Sequence, residues 1–253
     1  MARAQTQPLS SAQKTLALLD IIAEWSNGVR VSELARRVGS YRSTIYQQLI
    51  TLVASGWMER MEDGRYRLTL RAARIGHAAL EQASLGERVL PIMERLASTI
   101  HCTISLGILD RDAVLIVQRV EPGAVFRSDF RVGTRLPIIH SASGWILAAF
   151  AQPEELEGLR RRNVMLPTDE ELAETRRARF RSSQYFEGVA ALATPTFDAQ
   201  GRCVAALSAI TSPRDMDMER GSSLLQAYAN DINRVISGRR MSDPALTEGM
   251  MVK

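Results

Sequence analysis

VSELARRVGSYRSTIYQQLITLVASGWMERMEDGRYRL, residues 31–68, decides the fold of the N-terminal region. Its apolar positions fall into two helical series. Leu34, Ala35 and Val38 make one side of a short helix over residues 31–38, with Ser32 as its expected N-cap. Ile45, Leu49, Leu52 and Val53 make one side of a second helix over residues 42–55, which Gly56 should stop. Gly39-Ser40 separates the two. Helices that cross steeply need a small residue in the first and a glycine at the turn, and Ala35 and Gly39 supply both. Two extended runs follow, residues 57–61 and 65–68, around Glu62-Asp63-Gly64. Asp-Gly between extended runs is a strong hairpin signal. The stretch therefore reads as a winged helix-turn-helix.

This reading leaves Arg42, Ser43, Thr44, Tyr46 and Gln47 near the outward N-terminal end of the second helix. A recognition helix uses that end on base edges. Gln47 can bond adenine through two hydrogen bonds, Arg42 can bond guanine or phosphate, and Ser43 and Thr44 can bond phosphate beside the helix N-terminal N–H groups. On the hairpin, Arg65 and Arg67 alternate with Tyr66 and face one side, which suits contact with the DNA backbone or minor groove.

Charge supports this placement. Residues 1–76 hold eleven Lys/Arg against six Asp/Glu, a net of +5, whereas the whole 253-residue chain carries +4. The remainder is therefore near neutral. A basic third on a neutral body suggests a polyanion-binding module joined to something else. Hydrophobic residues make up 45% and charged residues 24%, which excludes a disordered tail, a collagen and a small disulfide scaffold. Cys102 and Cys203 form no CxxC or metal-ligand spacing, which points to a reducing compartment. No apolar run is long enough to span a bilayer, and the first residues have no apolar signal core. A cytoplasmic protein without membrane contact is expected.

Upstream, Leu16, Leu19, Ile22 and Ala23 mark a helix from Ser10 to Trp25, capped by Ser10 or Ser11. Downstream, the organisation reads as a DNA-binding domain over residues 10–69, a linker helix over 70–83, a second domain over 84–238 and a flexible tail over 239–253. The second domain should open with a helix over 84–100, with Pro91 inside it. Strands over 103–109 and 113–120 follow, then shorter strands through Phe130. Helices are expected over 143–150, 153–162 and 168–182, a strand pair over 188–197 and 202–210, and a terminal helix over 215–237. Paired strands with interspersed helices indicate an α+β domain on a mostly antiparallel sheet.

With these elements in place, the chain resembles the IclR family of bacterial transcription regulators over about residues 10–237. In the first domain the resemblance is carried by Ser43-Thr44-Ile45, by Leu52 through Gly56, and by Gly64-Arg65-Tyr66-Arg67-Leu68. In the second it is carried by Val132-Gly133-Thr134-Arg135-Leu136-Pro137, by Ala142-Ser143-Gly144, by Gly188, Pro195 and Asp198, and by Val204 through Ser208 leading to Pro213. The resemblance implies a winged helix-turn-helix, a linker helix and a GAF-like α/β/α effector domain. It also implies operator binding as a dimer or dimer of dimers, controlled by a small organic effector, with no cofactor. Repression is favoured over activation.

Projected from the family, the effector site comprises Val125, Ala142, Ser143, Arg181, Val189, Ala191, Ser208 and Ile210. Ser143 and Ser208 can bond a carboxylate or carbonyl. Phe126, Trp145, Tyr185 and Phe186 lie nearby in sequence and can admit an aromatic ring. The chain departs from the family pattern at Gln47, where Arg is common, at Gln48, where Leu is common, and at Trp145, where Lys is usual. Arg181, Ser182 and Ser183 replace an acidic stretch. A basic or neutral rim favours an anionic or neutral ligand, so the effector is expected to be a carboxylate-containing or aromatic metabolite.

Two other function classes fit the sequence less well. An enzyme whose second domain does chemistry while the basic domain tethers it would need clustered titratable groups, and the projected site offers only Arg181. Ser141-Ala142-Ser143-Gly144 lacks the leading Gly of a nucleophile elbow. His77, His101 and His140 are widely spaced, so no metal site is expected. The chain is therefore read as not an enzyme. An architectural DNA-binding protein with no ligand would show a closed second domain.

Overall fold

A computed structural model describes residues 7–123, 130–214 and 218–238. The chain divides into two compact units between Ala79 and Leu80.

The first unit holds α1 (Ser10–Ala23), α2 (Val31–Val38), α3 (Arg42–Ala54), β1 (Met58–Arg60) and β2 (Tyr66–Leu68). Leu18, Ile22, Leu34, Ile45 and Leu49 are almost fully enclosed and form its core with Val29, Leu52, Met58 and Tyr66. Burying each such side chain contributes about 1.5–3 kcal/mol. Gly39 ends α2 in the left-handed region (φ +69°), and the Ser40 N–H returns to the Ala35 carbonyl at 3.0 Å. Gly56 (φ +76°) turns the chain out of α3. The hairpin pairs Met58 with Leu68 and Arg60 with Tyr66. Val29 and Tyr66 exchange two N–H···O=C bonds of 2.9 Å, adding a third short rung to the hairpin.

Four local expectations are corrected here. Neither Ser10 nor Ser11 caps α1: Leu9 stands at that position, and the helix ends at Ala23 rather than Trp25. Ser32 lies inside α2. The N-cap is Arg30, whose N–H donates to the Glu33 carboxylate at 2.8 Å, so the acid three residues along satisfies the helix start in place of a serine. Val38 is 38% exposed, because the chain turns away at Gly39 before that side is covered.

α4 (Arg71–Gln82) carries the chain past the dividing point. The second unit contains α5 (Leu90–Ile100), β3 (Thr103–Asp110), β4 (Ala113–Val120), β5 (Arg135–Pro137) and one turn of 3₁₀ helix (Ile138–His140). These are followed by α6 (Ala142–Phe150), α7 (Pro153–Arg161), α8 (Asp169–Ala178), β6 (Arg181–Ser183), β7 (Ala190–Phe197), β8 (Cys203–Thr211) and α9 (Met218–Ile236). One sheet of order β5-β4-β3-β8-β7-β6 is antiparallel at every pairing.

Side chains alternate across that sheet. Ile104, Leu106, Leu207 and Ala209 pack under α5 and α9. Val114, Ile116, Ala193 and Ala206 face α6, and α7 and α8 add Leu159 and Leu172 behind it. The result is the expected α/β/α layering. Every residue of α6 from Ala142 through Ala149 is buried.

Two helices differ from expectation. The first helix of this unit begins at Leu90, not residue 84. Ser84 adopts φ +56°, and Pro91 stands in the first turn, where a missing N–H costs nothing. The charged helix stops at Ala178, because Arg179 takes a left-handed conformation (φ +53°). Arg181–Ser183 then form an edge strand rather than the last turn of a helix. Val125, Phe126, Asp215 and the tail over 239–253 lie outside the described residues.

Candidate DNA interface and ligand cleft

Two places concentrate polar chemistry, one in each unit. In the first, Ile45, Leu49 and Leu52 anchor α3 in the core. That fixes the opposite face: Arg42, Ser43, Thr44, Tyr46 and Gln47 are all exposed. No side chain caps the start of α3. By helix geometry its first N–H groups have no acceptor within the helix. Tyr41, immediately before it, is 83% exposed. Periodicity gives no signal for such a residue, since it sits outside the helix. The face therefore offers an Arg, hydroxyls, an amide and two phenols at an exposed helix start.

On the hairpin Arg67 is exposed and its Nε donates to Glu59 at 2.6 Å. Arg65 is half-buried, 3.3 Å from the Asp63 carboxylate, and also donates to the Asn27 carbonyl at 3.4 Å. Glu59, Glu62 and Asp63 balance Arg60, Arg65 and Arg67, so residues 57–68 are neutral overall. The basic excess of this region lies outside the hairpin, on Arg30, Arg36, Arg37, Arg42, Arg71 and Arg74 among others.

In the second unit a cleft of about 490 Å³, including its open mouth, lies between the sheet and the start of α6. Ser105 and Gly107 of β3, Val114 and Ile116 of β4, Ala191 of β7, and Ser208 and Ile210 of β8 form its floor. Ser141, Ala142 and Ser143 form its roof, and Phe130, His140, Tyr185, Phe186 and Val189 its rim. His140 stacks on Tyr185 with centroids 3.6 Å apart, and Phe130 meets Phe186 edge-on at 5.2 Å. Six projected residues, Ala142, Ser143, Val189, Ala191, Ser208 and Ile210, thus share one cleft. Val125 lies outside the described residues.

Arg181 stands apart from the lining. Its guanidinium sits over the Trp145 ring, 3.5 Å from the centroid, and Trp145 donates its Nε1–H to the Ile139 carbonyl at 2.8 Å. Trp145 is consequently a buried support for Arg181, not a wall of the cleft. The Arg181 charge also helps to hold the Glu171 carboxyl below the usual carboxylate range, after the larger effect of the Thr168 hydrogen bonds.

The serine hydroxyls differ in how far they are committed. Ser141 accepts from the Gly144 N–H at 3.1 Å and donates to the Pro137 carbonyl at 3.0 Å. Ser183 donates to the His140 carbonyl at 3.1 Å, and Ser208 to the Ser105 carbonyl at 3.3 Å. The Ser105 hydroxyl, on a residue only 2% exposed, has no hydrogen-bond partner among the described residues. No Lys, Arg, Asp or Glu belongs to the described lining. Elsewhere in the unit, burial pushes the Cys203 thiol up to about 12, which keeps it protonated and unreactive.

Comparison with known proteins finds one family in both regions. Residues 11–62 match the family model described as the IclR helix-turn-helix domain. Residues 77–237 match the one described as bacterial transcriptional regulator IclR C-terminal. The chain is 31% identical to the HTH-type transcriptional regulator BhcR of Paracoccus denitrificans over 79% of its own length and 76% of the relative's. It is 26% identical to the transcriptional repressor IclR of Escherichia coli over 93% of each. Among solved structures, an IclR homologue from Microbacterium hydrocarbonoxydans in complex with 4-hydroxybenzoate superposes with a TM-score of 0.73 at 25% identity. That match covers 90% of this chain and 99% of the other.

Proposed function

The chain belongs to the IclR family of ligand-responsive, DNA-binding transcriptional regulators rather than to any enzyme class, and we propose that it is a repressor whose hold on operator DNA is set by a small aromatic carboxylic acid. The cleft under α6 carries the proposal: it combines hydroxyls, aromatic edges and a helix start in an otherwise apolar enclosure. The first turn of α6 takes the carboxylate through the N–H groups of Ala142 and Ser143 and the Ser143 hydroxyl. Phe130, Tyr185 and Phe186 bracket the ring. The 4-hydroxybenzoate complex of the Microbacterium relative supports a ligand of this class, and the E. coli relative supports repression.

On DNA, α3 occupies the major groove. Gln47 and Arg42 read base edges, and Ser43, Thr44 and Tyr46 hold phosphates. Arg65 and Arg67 contact the backbone after exchanging their carboxylate partners for phosphate. The protein acts in the cytoplasm as a dimer or a dimer of dimers on a two-fold operator. Among the described residues no helix is long and apolar enough to cross a membrane.

A gel shift tests this reading. Purified protein is titrated against its own upstream intergenic duplex and against random duplex at physiological salt, with and without benzoate and 4-hydroxybenzoate. Preference for its own duplex, weakened by at least one acid, is expected. Equal binding to both duplexes under every condition would falsify the assignment of α3.

A further inference from the structure

We propose that Ser105 sets the ligand specificity of the cleft: its hydroxyl, on the sheet floor, hydrogen-bonds a second oxygen of the ligand, a ring hydroxyl of a hydroxylated aromatic acid. The inference rests on the reading of the cleft as the effector site.

Ser105 lies on β3 between Ile104 and Leu106, whose side chains pack under α5 and α9, so alternation sends its hydroxyl to the α6 side. It is buried there without a partner among the described residues. A buried hydroxyl left unpaired is destabilising, and alanine would fill nearly the same space at no such cost. Its neighbour across the ladder does not relieve it, since Ser208 is paired with Ser105 but donates to the Ser105 backbone carbonyl.

Gly107, two residues on, lines the adjoining floor and is closely packed against Val114. A Cβ there would lie 2.7 Å from Val114 Cγ1 and 3.9 Å from the Ser143 Cβ, between the sheet and the first turn of α6. Ser105, Gly107 and Ser143 line the same cleft, so the Ser105 hydroxyl and the helix start that takes the carboxylate border one space. With no Lys, Arg, Asp or Glu in the described lining, a second ligand oxygen is met by a neutral group. Of the lining serines, Ser143 is assigned to the carboxylate, and Ser141, Ser183 and Ser208 already donate to backbone carbonyls; Tyr185 and His140 lie at the rim, so on the floor Ser105 is the hydroxyl that meets it.

Calorimetry on the full chain and on Ser105→Ala, with benzoate, 3-hydroxybenzoate and 4-hydroxybenzoate as probes, tests the assignment. The unmodified protein should bind at least one hydroxybenzoate about tenfold more tightly than benzoate, the size of one good hydrogen bond. Ser105→Ala should erase that preference while holding benzoate affinity within about twofold. No preference in the unmodified protein, or a preference that survives Ser105→Ala, overturns the role of Ser105 and leaves the acid-binding cleft standing. Failure of the unmodified protein to bind any of the three acids overturns both. A ligand-free melt adds an independent check. Ser105→Ala should unfold at the same temperature or higher, and a drop of more than about 3 °C, or failure to fold, would show that the hydroxyl already has a structural partner.

Discussion

α3 and α6 begin alike and end up in opposite surroundings. Tyr41-Arg42-Ser43-Thr44 opens α3 in full contact with water, whereas Ser141-Ala142-Ser143-Gly144 opens α6 in the interior. Both starts bring hydroxyls and unpaired N–H groups together. In water such groups are already solvated, so binding there gains mainly from displacing counterions and is steeply salt-dependent. In a low-dielectric enclosure the same groups are costly to leave unmatched, so some are consumed internally and the rest select a small ligand. Salt should therefore separate the two: DNA affinity should fall steeply between low and physiological salt, while acid affinity should change little.

The largest expected effect is at Gly144. A side chain there would lie 2.5 Å from the Ile138 Cα and 2.7 Å from the Ser141 Oγ, and the backbone cannot yield. Gly144→Ala should cost more than about 3 kcal/mol in chemical denaturation or prevent folding. The left-handed Gly39 of the first unit has open space around it, so Gly39→Ala should cost only about 1 kcal/mol. Equal costs would break the contrast between a packed helix start and a solvated helix end.

Next in size, Arg42→Ala should weaken operator binding about tenfold and flatten the salt slope by about one unit, with no change in melting temperature. A melting shift without a binding loss would move Arg42 from interface to scaffold. Ser141→Ala removes the hydroxyl that caps α6 and should cost about 1 kcal/mol. Ser43→Ala removes no cap and should stay within about 0.5 kcal/mol while still weakening DNA binding.

The smallest effect concerns a cap on the solvent side. Glu171 receives the Thr168 N–H at 2.8 Å, which chiefly holds its carboxyl below the ordinary range. A depressed folded-state pKa adds stability above the unfolded value, and that stability is lost as pH falls through the folded one. The melting gap between the unmodified protein and Glu171→Ala should be small at pH 7 and narrow as the solution becomes more acidic than an ordinary carboxylate.

The first unit was more legible from sequence than the second. Its boundaries are written in residues that act locally: Gly39, Gly56 and the Asp63-Gly64 turn. In the second unit the chain turns at Ser84 and Arg179, ordinary residues in left-handed conformations, so the late start of α5 and the strand at Arg181 had no local mark. Helix starts were misread where a carboxylate three residues along replaces a hydroxyl, as Glu33 does for α2. Six projected cleft residues could be brought together by family resemblance. Ser105 could not, because alternation tells which way a serine points but not whether a hole lies in front of it. The neutrality of the hairpin was visible in composition yet hidden by averaging over 76 residues, and the carboxylate partners of Arg65 and Arg67 emerge only when β1 and β2 are paired.

That neutrality bears on how a regulator searches a chromosome. Every operator competes with about 10⁶–10⁹ decoy positions that present the same phosphates. A hairpin whose guanidinium groups are already held by Glu59 and Asp63 adds little to indiscriminate adhesion. If the hairpin meets DNA as proposed, those groups pass to phosphate only where its geometry is good enough to displace a carboxylate. On the proposed reading of the hairpin the acids would brake trapping at decoys, and Glu59→Gln with Asp63→Asn should slow the search by raising the grip on random duplex more than the grip on the operator.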